Sequence, residues 1–136
     1  MPVSGMGEAS LGGKVLAPPG SNLVLAQWTA QGNPGGDPLY QAPLHLHEDD
    51  EAWYVLQGAL CVRAGDEVLE IKAGGAAVVP GATAHTYWNP AAEPARYVLV
   101  MGARTYALIQ AIHATEDRSK ENMRQIFEAH GGQLLE

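Results

Sequence analysis

Between Leu23 and Met101 no apolar run lasts long before a turn-forming cluster stops it. NLVLAQWT ends at QGNPGGDP, AWYVLQ at Gly58, ALCVR at AGDE, VLEIK at AGG, AAVVP at GATA and HTYW at NPAAEP, and ARYVLVM closes the series. Runs this short, rich in Val, Leu, Tyr and Trp and recurring roughly every 8–12 residues, read as strands, and helical periodicity is missing between them. Strands joined by short turns pair antiparallel, and they bury an apolar face only by stacking or closing their sheets. The expected architecture for this stretch is therefore all-β, a sandwich or barrel.

The pattern changes after Met101. Tyr106, Ile109, Ile112 and His113 fall at helical spacing within Thr105 to Ala114, and Met123, Ile126, Phe127 and His130 do so within Ser119 to His130. Gly131-Gly132 then stands where a helix C-cap would. Two helices this short do not persist alone in water, so they are expected to cover the outer surface of the barrel or to reach a neighbouring subunit. The first 22 residues, rich in Gly, Ser and Pro, offer one candidate edge strand, Lys14 to Ala17, and the first ten are expected to be mobile. A length of 136 residues suits one domain. It divides into a flexible segment 1–22, a barrel over 23–101 and a helical extension over 102–136.

Charge and cysteine content narrow the function. A formal net charge of −7, with eight Lys and Arg spread thinly, disfavours both a nucleic-acid backbone and an anionic membrane as partner. The opening MPVSGMGEAS has no basic n-region or apolar h-region, and no run approaches the ~18 apolar residues of a membrane span, so a cytoplasmic address is expected. Cys61 is the only cysteine, which excludes an intrachain disulfide and a thiolate-built zinc site. Within ALCVR it reads as a small buried hydrophobe.

PLHLHEDDEAWYVLQG holds the residues with chemical potential. Side chains alternate along a strand, so His45 and His47 share a face; if it points inward, two buried imidazoles need partners, which a metal ion supplies. Glu48-Asp49-Asp50 can form a turn that brings Glu51 back to them, and His85 follows the turn PGATA at the start of a further strand. Asp49 and Asp50 themselves read as turn and solubility residues. His113 and His130 sit on the helical segments and are left out of the site.

These spacings resemble the two motifs of the cupin superfamily, G-x5-H-x-H-x3,4-E-x6-G and G-x5-P-x-G-x2-H-x3-N. The first appears as His45-x-His47-x3-Glu51-x6-Gly58 and the second as Gly74-x5-Pro80-x-Ala82-x2-His85-x3-Asn89. Leu39 replaces the leading glycine of the first, and Ala82 replaces the inner glycine of the second, where negative φ or reliance on Gly81 is expected. The resemblance covers about Leu23 to Met101. It implies a double-stranded β-helix, or jelly-roll barrel, in which His45, His47, Glu51 and His85 hold one divalent transition metal: iron, manganese, nickel, cobalt, copper or zinc.

HLHEDDEAWYVLQG and VVPGATAHTYWN resemble small bacterial cupins of the quercetin-dioxygenase-like group. That likeness implies a metal-dependent dioxygenase acting on a small chelating enol, phenol or diketone, with Glu51 as the catalytic proton acceptor as well as a ligand. Trp53 and Tyr87 share strand parity with Glu51 and His85 and are expected in the pocket wall, with Gln57 in reach if its strand keeps register. Tyr54 and Trp88 have the opposite parity and should face outward. No basic residue falls in a ligand motif, so a highly charged substrate is disfavoured. The alternatives are a metal-dependent isomerase or decarboxylase, and a non-catalytic small-molecule-binding module. Apolar residues on both strand faces, including Tyr54, Leu56 and Trp88, point to a homodimer.

Overall fold

The strand runs pair as two five-stranded antiparallel sheets in a computed structural model that describes residues 11–135. The first ten residues, expected to be mobile, lie outside that range. In chain order the elements are β1 (Val15–Leu16), β2 (Leu23–Ala30), β3 (His45–His47), β4 (Glu51–Gln57), β5 (Ala59–Ala64), β6 (Glu67–Lys72), β7 (Ala76–Val79), β8 (His85–Trp88), β9 (Ala95–Gly102), α1 (Ala103–Ala114), α2 (Lys120–Ala129) and β10 (Gly132–Leu134). One sheet runs β1-β2-β9-β4-β7 and the other β10-β3-β8-β5-β6. This is the all-β double-stranded β-helix expected, with two short C-terminal helices. Its two sheets face each other and are not hydrogen-bonded into a closed barrel.

Alternation decides what lies between the sheets. On β9, Ala95, Tyr97, Leu99 and Met101 are buried while Arg96, Val98 and Val100 turn outward; on β4, Glu51, Trp53 and Val55 are buried and Tyr54 is exposed. Val24 and Leu99 from one sheet meet Leu60, Val62 and Ile71 from the other in a single apolar cluster. Each such side chain contributes about 1.5–3 kcal/mol on burial. Cys61 is buried, as a small hydrophobe should be, and burial followed by the Glu70 charge raises its thiol pKa.

Two turns depart from regular geometry. Between Val55 and Gln57 the β4–β9 register shifts, and β4 ends at Gly58 with φ +80°, where a Cβ would lie 3.1 Å from that of Ala95. Ahead of His85, Gly81 lies so close to the Glu48 carbonyl that a Cβ there would overlap it. Ala82 then takes φ +61°, correcting the expectation of negative φ. With Gly81 fixed by close approach, the chain reverses at the next residue, where the Ala82 N–H donates to the His47 carbonyl at 2.7 Å. An alanine in the left-handed region costs about 1–2 kcal/mol, partly offset by the greater unfolded-state freedom of glycine. Ala82→Gly is therefore expected to stabilise the fold by up to about 1 kcal/mol, read as a rise of roughly 3 °C in Tm. A lowered Tm would contradict the strain assigned here.

The helices are not on the outer surface of the sheets. Leu108 of α1 and Phe127 of α2 are buried against the end of the β-helix that carries the histidines. Ser119 caps α2 by accepting from the Asn122 N–H at 3.3 Å, and after α2 the chain turns at Gly131 into β10. β10 pairs with β3, placing Gly132 opposite His47 and Leu134 opposite His45. That strand was absent from the sequence expectation. It ties the helical cap to the strand bearing two of the histidines. Tyr54, Leu56 and Val78 remain exposed on the outer face of the first sheet. No helix among the described residues is long and apolar enough to cross a membrane.

Candidate metal centre

His45, His47 and His85 come from adjacent strands of one sheet and Glu51 from the facing sheet. Registered pairing puts His45 directly opposite His85. All four are buried, between 2% and 7% exposed, and their ligand atoms lie within 4.8 Å of one another.

Backbone carbonyls set the tautomers. Each Nδ1 donates to a main-chain oxygen two residues away: His45 to Pro43 at 2.7 Å, His47 to Asp49 at 2.9 Å and His85 to Thr83 at 2.8 Å. A carbonyl can only accept, so Nδ1 carries a proton on all three rings and Nε2 faces the site, as a lone pair towards a cation or, on a protonated ring of the metal-free protein, as an N–H donated to Glu51. Glu51 Oε2 lies 3.0 Å from Nε2 of His47 and 2.8 Å from Nε2 of His85. Two donors on one first-row ion sit at most about 4.2–4.4 Å apart, so this set needs shifts of only tenths of an ångström to close on a cation. Three imidazole nitrogens and one carboxylate oxygen fit a divalent transition metal, and the same set suits several of them.

The turn inside the first motif is more than solubilising. Asp50 Oδ1 accepts from the Gly81 N–H at 2.7 Å, pinning the His47–Glu51 turn to the one preceding His85. Asp49 Oδ2 accepts from Thr105 Oγ1 at 3.1 Å near the N-terminus of α1, which has no side-chain cap of its own. A carboxylate there also suits the helix dipole. The backbone of Asp49 orients a histidine while its side chain anchors the cap.

Burial and the neighbouring charges pull the site in different directions. Burial, then the His85 ring, lowers the His45 pKa to about 4. Burial opposes ionisation of Glu51, but hydrogen bonds from His47 and His85 overcome it and bring its pKa to about 2. Burial also works against charging His47, yet the hydrogen bond and charge of Glu51 leave its pKa raised. His45 and Glu51 both take up protons more readily unfolded than folded, so each withdraws stability as pH falls, from 6.5 towards 4 and from 4.5 towards 2 respectively. The His47 contribution has the opposite sign: it is fully present below 6.5 and is lost as pH rises through its raised folded value. Chelator-treated protein should therefore melt at its highest temperature near pH 6.5 and at progressively lower temperatures towards pH 4. A Tm that holds or rises over that acid range would contradict the burial of His45.

A cavity of ≈ 330 Å³ opens beside the donors, and His45, Glu51 and His85 line it. Tyr87 is in its wall, as parity suggested. Trp53 is fully buried behind that wall, its ring 5.3 Å from Tyr87 and 5.9 Å from His85. Gln57 lies past the bulge, exposed and away from the cavity. Parity also holds for Tyr97 and Leu99 on β9 and for Trp28 on β2, which line the cavity but were not singled out. The helices complete it: Leu108, Ile112 and His113 of α1 and Phe127 of α2 are in the wall, with the Phe127 ring 5.3 Å from that of His45. His113 thus joins the cavity rim from the position where it was set aside, whereas His130 caps its own helix through Nδ1 to the Ile126 carbonyl at 2.8 Å.

Residues 37–101 match the Cupin_2 family, described as a cupin domain. A stretch of 75 residues, 55% of this chain, is 33% identical to mannose-1-phosphate guanylyltransferase of Salmonella muenchen, and the chain spans only 15% of that relative's length. Among solved structures, TT1209 from Thermus thermophilus is similar at 27% identity and a TM-score of 0.51, over 59% of this chain and 71% of that one. KdgF from Halomonas sp. is similar at 24% identity and a TM-score of 0.51, over 65% and 74%. A sugar phosphate isomerase of the cupin superfamily from Silicibacter pomeroyi is similar at 20% and 0.51, over 60% and 51%. The last two likenesses are of fold alone.

Proposed function

We propose that this chain, whose residues 37–101 match the cupin domain family, is a metal-dependent enzyme of dioxygenase type acting on a small, uncharged chelating molecule such as an enol, phenol or diketone. The observation that carries this proposal is the pairing of donor set and cavity: four converging ligand atoms open onto a space with no lysine or arginine among the described residues of its wall. A sugar phosphate would find neither guanidinium nor ammonium there. An aromatic or aliphatic body would instead meet Trp28, Leu99, Leu108, Ile112 and Phe127.

His45, His47, His85 and Glu51 would hold the ion, which when bound supplies Lewis acidity and, for a redox-active metal, a route for electrons to dioxygen. Glu51 is ionised at neutral pH and lines the cavity, so it can accept the proton that an enol or phenol gives up on binding. Leu108 and Phe127 keep water away from that exchange.

The test is oxygen uptake by protein loaded separately with iron, manganese, nickel, cobalt and copper, against flavonols, catechols and β-diketones. Uptake with one of these classes is expected. Turnover that continues undiminished in an anaerobic chamber would assign an isomerase or decarboxylase instead, and a ligand that raises Tm yet is recovered intact would assign a binding module.

A further inference from the structure

Next to the metal donors the cavity has a second polar group that metal binding does not use. Tyr87 on β8 and Tyr97 on β9 approach from facing sheets, and their hydroxyls meet at 2.7 Å with the rings edge to face. Both residues line the cavity and are almost fully buried. Behind them the Trp53 N–H, also buried, is turned towards Tyr87 without reaching hydrogen-bond geometry with any acceptor among the described residues.

Proton counting gives this group a direction. An indole N–H can only donate, and each phenol donates once and accepts. Three protons therefore share two oxygens. With the Trp53 N–H facing the Tyr87 oxygen, the chain that gives each oxygen one donor runs from Trp53 to Tyr87 to Tyr97, and it leaves the Tyr97 O–H with no acceptor among the described residues. A buried donor without an acceptor costs about 1–3 kcal/mol, which a ligand oxygen in the cavity would relieve. A phenol loses its proton only at about pH 10, so both stay protonated donors at neutral pH.

We infer that Tyr97 is a specificity residue that donates a hydrogen bond to a second, non-chelating oxygen of the bound molecule, so that the site selects chelators carrying a carbonyl or similar acceptor at a distance from the chelating pair. This rests on the chelating function proposed above. Tyr87 and Trp53 act through Tyr97 by fixing which way its proton points.

Zinc-loaded protein, which binds without redox turnover, allows the test. Affinities are measured by calorimetry for catechol, which only chelates, and for 3,4-dihydroxyacetophenone, which adds a carbonyl across the ring. The ketone-to-catechol affinity ratio is compared between proteins, since the ketone is also the more acidic chelator. In Tyr97→Phe this ratio should fall about fivefold, the loss of one neutral hydrogen bond. The C=O stretch of the bound ketone, lowered in the wild type, should return towards its free frequency. Tyr87→Phe should change the ratio less than twofold, because Tyr97 keeps its proton. The double variant, which leaves no orphan hydroxyl, serves if Tyr97→Phe folds poorly. An unchanged ratio and carbonyl frequency in the Tyr97 variants would overturn the assignment, leaving water as the acceptor. Failure of catechol itself to bind the zinc-loaded wild type would instead remove the chelating function, and this assignment with it.

Discussion

Glu51→Gln should retain about one metal ion per chain and lower turnover by about 10²–10⁴-fold, the range a positioned proton acceptor contributes. The carboxylate and the amide have the same shape, and the lone pairs on Nε2 of His47 and His85, now 3.0 and 2.8 Å from Oε2, can accept from the amide nitrogen instead. The fold therefore has no reason to change. An amide still offers an oxygen but cannot hold a transferred proton. Metal content by elemental analysis and oxygen uptake with the best substrate of the panel check the two halves separately. Wild-type rates in the variant would take the proton-transfer role away from Glu51, and loss of the metal would show that the carboxylate charge is needed to hold it.

Phe127→Ala should cost about 3 kcal/mol of stability, seen as a drop of roughly 10 °C in Tm, and should loosen ligand binding at the same time. Phe127 is 1% exposed and is the one buried side chain of α2. Its ring packs on His45 at 5.3 Å and beside Gly132, where a Cβ would lie 3.4 Å from it, so one residue joins helix, clasping strand and metal ligand. The expected loss sits at the low end for a buried phenylalanine because the ring already borders a cavity. Urea denaturation of wild type and variant measures it. A loss below about 1 kcal/mol would mean that the cap is not held to the site through this ring.

Strand alternation made most of the donor set readable. His45 and His47 share parity, Glu51 and His85 each begin a strand after a turn, and pairing of β3 with β8 leaves the three histidines little choice but to converge. The same rule carried Tyr87 into the cavity wall. It could not separate a residue in the wall from one behind it, as with Trp53, because parity fixes a face and not a depth. It failed at Gln57, where a bulge breaks the repeat on which it depends. Tyr97 obeys the rule on β9 but lies outside both motifs, so no pattern singled it out. Helical periodicity located α1 and α2 but not their docking. What holds them is the buried Phe127 ring, the Asp49–Thr105 hydrogen bond and the three residues of β10, all products of tertiary contact. Ala82 fell outside prediction for a related reason: close approach of Gly81 to Glu48 forces the reversal one residue later, onto an alanine.

Elemental analysis of freshly purified protein, beside the His45→Ala/His85→Ala double variant, tests most directly whether these four side chains grip one cation. The wild type should carry about one divalent transition ion per chain, removable by chelator and restored on adding metal, and the variant should carry essentially none. A wild type that takes up no transition ion at micromolar metal, or a variant that binds as much as the wild type, would contradict the account.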